Sequence, residues 1–211
     1  MPSTINALTG ERVRLRELRE EDLADLVSWW QDPDVMVTQT SGPFHPRPAD
    51  AIAEQFRSWN RNAGTDAGLT VVNRAEGTVI GHVALFGAEA HNRTATFAII
   101  IGPPFQGQGY GTEARTGLLT LAFDHLGATS ARTEVFQDNH ASQGVSRKLG
   151  YEPDGISVDA RDGEAVVSDR LRLTRERWSQ QDRSAVSVDG VAPALAMFGL
   201  ASDGTATSSE G

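Results

Sequence analysis

The chain has 211 residues, a formal net charge of −9 and no cysteine. That length suits one ordinary domain with some chain to spare, and 39% hydrophobic residues together with 21 glycines are enough for a real core. Missing cysteine excludes disulfides, thiolate nucleophiles and thiolate metal sites, and the acidic balance makes nucleic acid and anionic membranes poor partners.

No stretch approaches ~18 consecutive apolar residues, so no transmembrane helix is expected. Met1 to Asn6 lack the basic-then-apolar order of a secretory leader. The expected localisation is cytoplasmic, as a monomer or homodimer. Lys148 is the only lysine, and every other basic residue of this kind is arginine, a bias that fits a GC-rich genome.

Val13 and Leu15 alternate with arginines up to Glu17, which predicts a strand. Glu20, Glu21 and Asp22 open a helix with Leu23, Leu26, Val27 and Trp30 on one face; acid in its first turn complements the helix dipole. Pro33 ends it. Residues 41–48 read as a loop and 49–61 as a second amphipathic helix. Strands at 69–72 and 79–86 flank the turn Arg74-Ala75-Glu76-Gly77, a hairpin signal. The apolar run 95–101 is too short for a helix. A helix over 111–125 is closed by Gly127. A strand at 132–136 precedes a helix over 139–148, with Asn139 as its cap and Gly150 at its stop. Strands near 155–160 and 165–173 finish the body.

Three strands in succession imply antiparallel pairing, and the strand–helix–strand unit over 95–136 implies one parallel crossover. The expected fold is α+β, with a mixed, mostly antiparallel twisted sheet of about seven strands and about four flanking helices. The body is assigned to 1–178. Residues 179–211 read as a polar C-terminal tail with a short apolar run at 191–200.

The most informative segment is Ile99-Ile100-Ile101-Gly102-Pro103-Pro104-Phe105-Gln106-Gly107-Gln108-Gly109-Tyr110-Gly111-Thr112. A buried strand enters a glycine-rich turn that opens a helix. Glycine lets the backbone approach a ligand closely, and free N–H groups at a helix start suit a phosphate or pyrophosphate. The plain alternative is a tight turn that needs glycine for its own geometry. A Walker loop fails, because no lysine is present here. A dinucleotide fingerprint fails too, because the sixth position counted from Gly107 is Thr112.

Gln106-Gly107-Gln108-Gly109-Tyr110-Gly111 resembles the Q/R-x-x-G-x-G/A acyl-CoA loop of the GNAT superfamily of N-acetyltransferases. Asn139-His140-Ala141-Ser142-Gln143-Gly144-Val145-Ser146-Arg147-Lys148-Leu149-Gly150-Tyr151 is similar to that superfamily's last-helix motif. It is most like the branch of the ribosomal-protein N-terminal acetyltransferases, as are Arg14-Leu15-Arg16-Glu17-Leu18 and Glu21-Asp22-Leu23. The likeness covers about residues 10–175. Both motifs in order, one helix and one strand apart, are far more specific than either alone.

The resemblance implies a V-shaped splay between the fourth and fifth strands, with acetyl-CoA as cosubstrate in the cleft. Its pantetheine would pair with the backbone of Ile99 and Ile101. Its pyrophosphate would lie on the loop residues Gln106, Gly107, Gln108, Gly109, Tyr110, Gly111 and Thr112. Asn139 and Ser142 would reach it from the last helix. The implied reaction is direct attack of a primary amine on the thioester, with a cationic amine acceptor: a protein N-terminus or a small molecule. Many members carry a glutamate at the position of Thr96 and a tyrosine acid at that of Ser146. This chain departs at both. Ser142 is assigned as general acid and Glu134 as base, with His82, His91 and His140 as possible relays. No metal is expected, because no His/Asp/Glu cluster has ligand spacing. Trp29, Trp30 and Trp59 lie on helices that frame the acceptor site in the resembled family, and Trp30 is expected in the core. The alternatives are an inactive CoA-binding regulatory module and a nucleotide-dependent oxidoreductase.

Overall fold

The computed structural model describes residues 7–36, 46–59, 66–87, 93–161, 164–183 and 185–189. In chain order the strands are β1 (Ala7–Thr9), β2 (Val13–Glu17), β3 (Ala67–Asn73), β4 (Val79–Phe86), β5 (Thr94–Ile101), β6 (Ser130–Phe136), β7 (Glu152–Arg161), β8 (Glu164–Thr174) and β9 (Ser187–Asp189). The helices are α1 (Leu23–Trp30), α2 (Pro33–Met36), α3 (Ala49–Ser58), α4 (Tyr110–Thr120), α5 (His140–Lys148) and α6 (Arg175–Ser179).

These strands form one sheet in the order β7-β8-β6-β5-β4-β3-β2-β1-β9. Only β5 and β6 are parallel; the other pairs are antiparallel. The mixed, mostly antiparallel α+β expectation holds, but the sheet has nine strands rather than seven. The two extra strands, β1 and β9, have three residues each, too few for an alternation to register. They pair with each other, Leu8 opposite Val188. Ordered structure therefore runs past residue 178, the expected end of the body. The run at 191–200 lies outside the described residues.

Each face of the sheet holds its own core. On one, α4 and the π-helical turn Leu121–His125 that extends it bury Leu118, Leu119, Leu121 and Phe123 against Leu8, Leu15 and Phe97. Trp178 of α6 is 1% exposed and stacks on Phe123 at 5.7 Å. Burying each such side chain contributes roughly 1.5–3 kcal/mol. On the other face, α1 and α3 pack Leu26, Ile52 and Phe56 together. Trp30 joins that core as expected, 5.2 Å from Phe56 and 5.6 Å from Trp59. Asp22 stands at the start of α1 and does more than complement its dipole. It is 1% exposed and accepts from Arg16 Nη1 and Nη2 at 2.7 and 2.8 Å, so it pins α1 to β2.

Candidate active site

Strands β5 and β6 pair at only three positions, ending with Thr96 opposite Arg132. Beyond that point β5 stays with β4, while β6 follows β8 through Phe136. At the vertex Thr133 Oγ1 takes the place of a ladder partner and donates to the Phe97 carbonyl at 3.3 Å. The V that opens beyond it is a cleft of about 700 Å³.

The free edge of β5 faces that cleft. Phe97 and Ile101 turn their carbonyls toward it, the latter accepting from Gln106 Nε2 at 2.9 Å, while the Gly102 N–H turns toward Ile80 on β4. Strand backbone groups alternate sides, so the N–H and C=O of Ile99 also face the cleft. Both backbone sites named from the sequence, Ile99 and Ile101, therefore lie on the edge that β6 leaves.

At the mouth, Pro103–Phe105 make one 3₁₀ turn and Gly109 caps α4. Gly107 and Gly109 have φ of +72° and +85°, which side chains adopt at a cost, and a Cβ on Gly107 would touch nothing within 4 Å. No side chain caps α4, so its first N–H groups are open to an anion. The loop is strapped from below. Glu113, 9% exposed, accepts from the Arg12 and Val13 backbone N–H groups at 2.6 and 3.0 Å and from Arg12 Nε at 3.1 Å. Arg12 Nη1 in turn donates to the Gln108 carbonyl at 3.0 Å. Sequence reading missed this clamp; an acid in the first turn after the glycines was its one visible sign.

Ile99, Ile101, Gln106, Gly107, Gly109, Tyr110, Gly111, Thr112, Glu134, Asn139 and Ser142 all line the one cleft. Gln108 does not; its side chain turns back to the Pro104 carbonyl at 3.0 Å. Asn139 Oδ1 accepts from the Ser142 N–H at 3.0 Å, the N-cap bond of α5. Asn139→Ala should cost about 1 kcal/mol of stability, read from urea unfolding of the protein without ligand. The Ser142 hydroxyl makes no bond to a described residue. Ser146 is fully buried and held by Arg115 at 2.9 Å, which takes it out of contention as an acid.

The cleft passes through the sheet. Its far side opens on the face that α1 and α3 leave bare, where Ala98, Glu134 and Asp159 line it. Glu134 Oε2 accepts from Ser157 Oγ, and Asp159 Oδ2 from Ser168 Oγ, both at 3.3 Å. Asp159 was not foreseen, because only the β7–β8 register brings it to the same face of the sheet as Glu134, opposite Val166 where Glu134 is opposite Arg170.

The histidine relays do not gather here. His82 is 1% exposed in the α3 core, 5.1 Å from the Phe56 ring and 5.2 Å from Trp59. Burial pulls it down to about 3, so it is neutral and away from the cleft. His140 is exposed and outside the lining, and His91 lies outside the described residues. Trp29 packs at the turn after β5, where a Cβ on Gly102 would sit 2.5 Å from its ring. Among the described residues no group of three His, Asp or Glu could hold a metal ion, and no helix is long and apolar enough to cross a membrane.

Comparison with known proteins agrees with this geometry. Residues 12–152 match the model of the acetyltransferase (GNAT) domain. The spermidine N(1)-acetyltransferase of Escherichia coli (strain K12) is 27% identical over 147 residues, 70% of this chain and 76% of that one. YdaF of Bacillus subtilis (strain 168), a candidate ribosomal N-acetyltransferase, is 28% identical over 120 residues, 56% and 64% of the two chains. The crystal structure of spermidine N-acetyltransferase from Vibrio cholerae with CoA and spermine superposes with a TM-score of 0.70 at 21% identity, covering 80% of this chain and 98% of that one.

Proposed function

The chain belongs to the GNAT acetyltransferase family and is an acetyl-CoA-dependent N-acetyltransferase; on that premise we propose how its residues divide the work. The observation that carries the proposal is a cleft lined from both faces of the sheet, with the glycine loop and the uncapped start of α4 on one side and carboxylates on the other. Acetyl-CoA supplies an activated acyl thioester.

The N–H groups of α4's first turn and the bare Gly107 hold the phosphates. The exposed edge at Ile99 and Ile101 hydrogen-bonds the pantetheine arm. The amine enters from the opposite face, where Glu134 and Asp159 attract its ammonium and take its proton. Ser142, its hydroxyl free at the cleft wall, gives a proton to the departing sulfur. Placing the amine against the thioester supplies most of the rate. The acceptor is a primary amine; the spermidine and spermine named for its relatives make small polyamines the first to try, followed by peptide N-termini.

Calorimetry with acetyl-CoA, then release of free CoA with a panel of amines, tests this reading. Binding without release under any amine would favour a regulatory CoA module. Ser142→Ala should lower turnover by roughly tenfold to a hundredfold, the low end for general acids, with acetyl-CoA affinity nearly unchanged. Full activity in that variant would remove the acid role.

A further inference from the structure

Arg115 enters the core from the middle of α4 with 2% of its surface exposed. Its Nη1 donates to Ser146 Oγ at 2.9 Å and its Nη2 to Thr133 Oγ1 at 2.8 Å. The guanidinium lies 5.4 Å from the centre of the Tyr151 ring. All three neighbours are neutral, since burial pushes the Tyr151 phenol up to about 12. Burial pulls the guanidinium down as well, yet arginine keeps its proton in proteins. A full positive charge thus sits in the interior. No described carboxylate bonds it, and its Nε has no partner. A buried charge without a counter-charge is costly, and Arg115 borders the cleft.

Its place in that cleft identifies the anion. Thr133 and Phe97 mark the closed end, where the guanidinium is held. The glycine loop begins at the other end, beyond Ile101. The four residue steps from Phe97 to Ile101 span about 13 Å at ~3.3 Å each. Phosphates at the start of α4 are therefore remote from Arg115. A pantetheine arm laid along β5 from that loop carries its sulfur toward the vertex.

We propose that Arg115 stabilises the negative charge that grows on the CoA sulfur as it departs, before the Ser142 proton reaches it, with Thr133 and Ser146 holding the guanidinium in place. The proposal rests on the acetyl-CoA reading above. In the transfer the amine nitrogen attacks the thioester carbonyl carbon. The C–N bond forms, the C–S bond breaks, and the sulfur leaves with the electron pair. The ammonium loses one proton to a carboxylate of the open face before the nitrogen attacks; the second, lost once the C–N bond has formed, replaces the proton that Ser142 gives to the sulfur. A fixed cation in a low-dielectric end of the cleft favours each stage at which negative charge grows. The other charged groups on the cleft wall are Glu134, Asp159 and Lys148. None is buried, so water and salt screen them more.

CoA itself is the probe. Thiolate absorbance of CoA bound to the full chain is titrated against pH, apart from any turnover. The bound thiol should titrate about one pH unit or more below that of free CoA. Arg115→Lys should keep most of that shift, and Arg115→Met should bind CoA with its thiol back at the free value. An unshifted thiol in the wild-type complex overturns the proposal, as does an equal shift in Arg115→Met. Where Arg115→Met does not fold, the wild-type titration decides alone. CoA that fails to bind the wild type sinks the acetyl-CoA reading and this proposal with it, a result distinct from CoA bound with an ordinary thiol.

Discussion

Gly107→Asp is expected to weaken acetyl-CoA binding by about 100-fold, while Gly107→Asn keeps affinity within a few-fold of wild type. The position has φ of +72° and open space around a Cβ. Asn and Asp tolerate that backbone region better than other side chains, so both variants should fold. They differ only in charge. Two like charges ~4 Å apart repel by about 4 kcal/mol at an effective dielectric near 20. Solvent at the cleft mouth reduces this, and about 2.7 kcal/mol remains enough for a hundredfold loss. Calorimetric titration of both variants checks it. Equal affinity for Asp and Asn would show that no phosphate lies at Gly107. The same reasoning disfavours Gly109 as a test site: a Cβ there would come 3.0 Å from Arg12 Nη2 and disturb the strap under the loop.

Acid should destabilise the protein through His82. Its folded form titrates near 3, mainly through burial and partly offset by the charge of Asp22, against 6.5 for a free imidazole. Between those values the unfolded chain binds a proton that the folded one refuses. Stability from this group is therefore complete above about pH 6.5 and falls as pH drops toward 3, by roughly 1.4 kcal/mol per pH unit. At pH 4 the loss amounts to about 3 kcal/mol. His82→Leu removes the titration and leaves no hydrogen bond broken at Nε2, which has no partner. Urea midpoints should show the variant within about 1 kcal/mol of wild type at pH 7.5. At pH 4 the variant should be the more stable by about 3 kcal/mol. Parallel pH curves for the two proteins would place the acid sensitivity elsewhere.

Elements long enough to show a period were legible in the sequence. The amphipathic faces of α1 and α3 and the apolar runs of β3, β4 and β5 stood out, as did the cap Asn139 and the stop Gly150 of α5. Boundaries moved by a residue or a few, and α3 ends at Ser58 rather than 61. β1 and β9 were invisible, since three residues carry no alternation and each is fixed by the other across the chain.

The glycine loop and the α5 motif are local in sequence, so they named residues of one cleft before any coordinates: ten of the eleven proposed cofactor-binding residues and Glu134 line it. The charged residues that matter most were not legible as such. Asp22 was read only as an acid of a helix's first turn, and Glu113 and Arg115 were given no role, yet the fold buries all three. Their partners lie on distant strands: Arg16 and Thr70 for Asp22, the Arg12–Val13 backbone for Glu113, Thr133 for Arg115. Burial and pairing of a charge depend on which elements pack together, and a one-dimensional pattern does not hold that information. Periodicity and glycine placement, being properties of neighbours in the chain, determined the architecture and the cofactor loop. Sheet register and the splay of β5 from β6, being properties of residues far apart in the chain, decided which charges face the cleft.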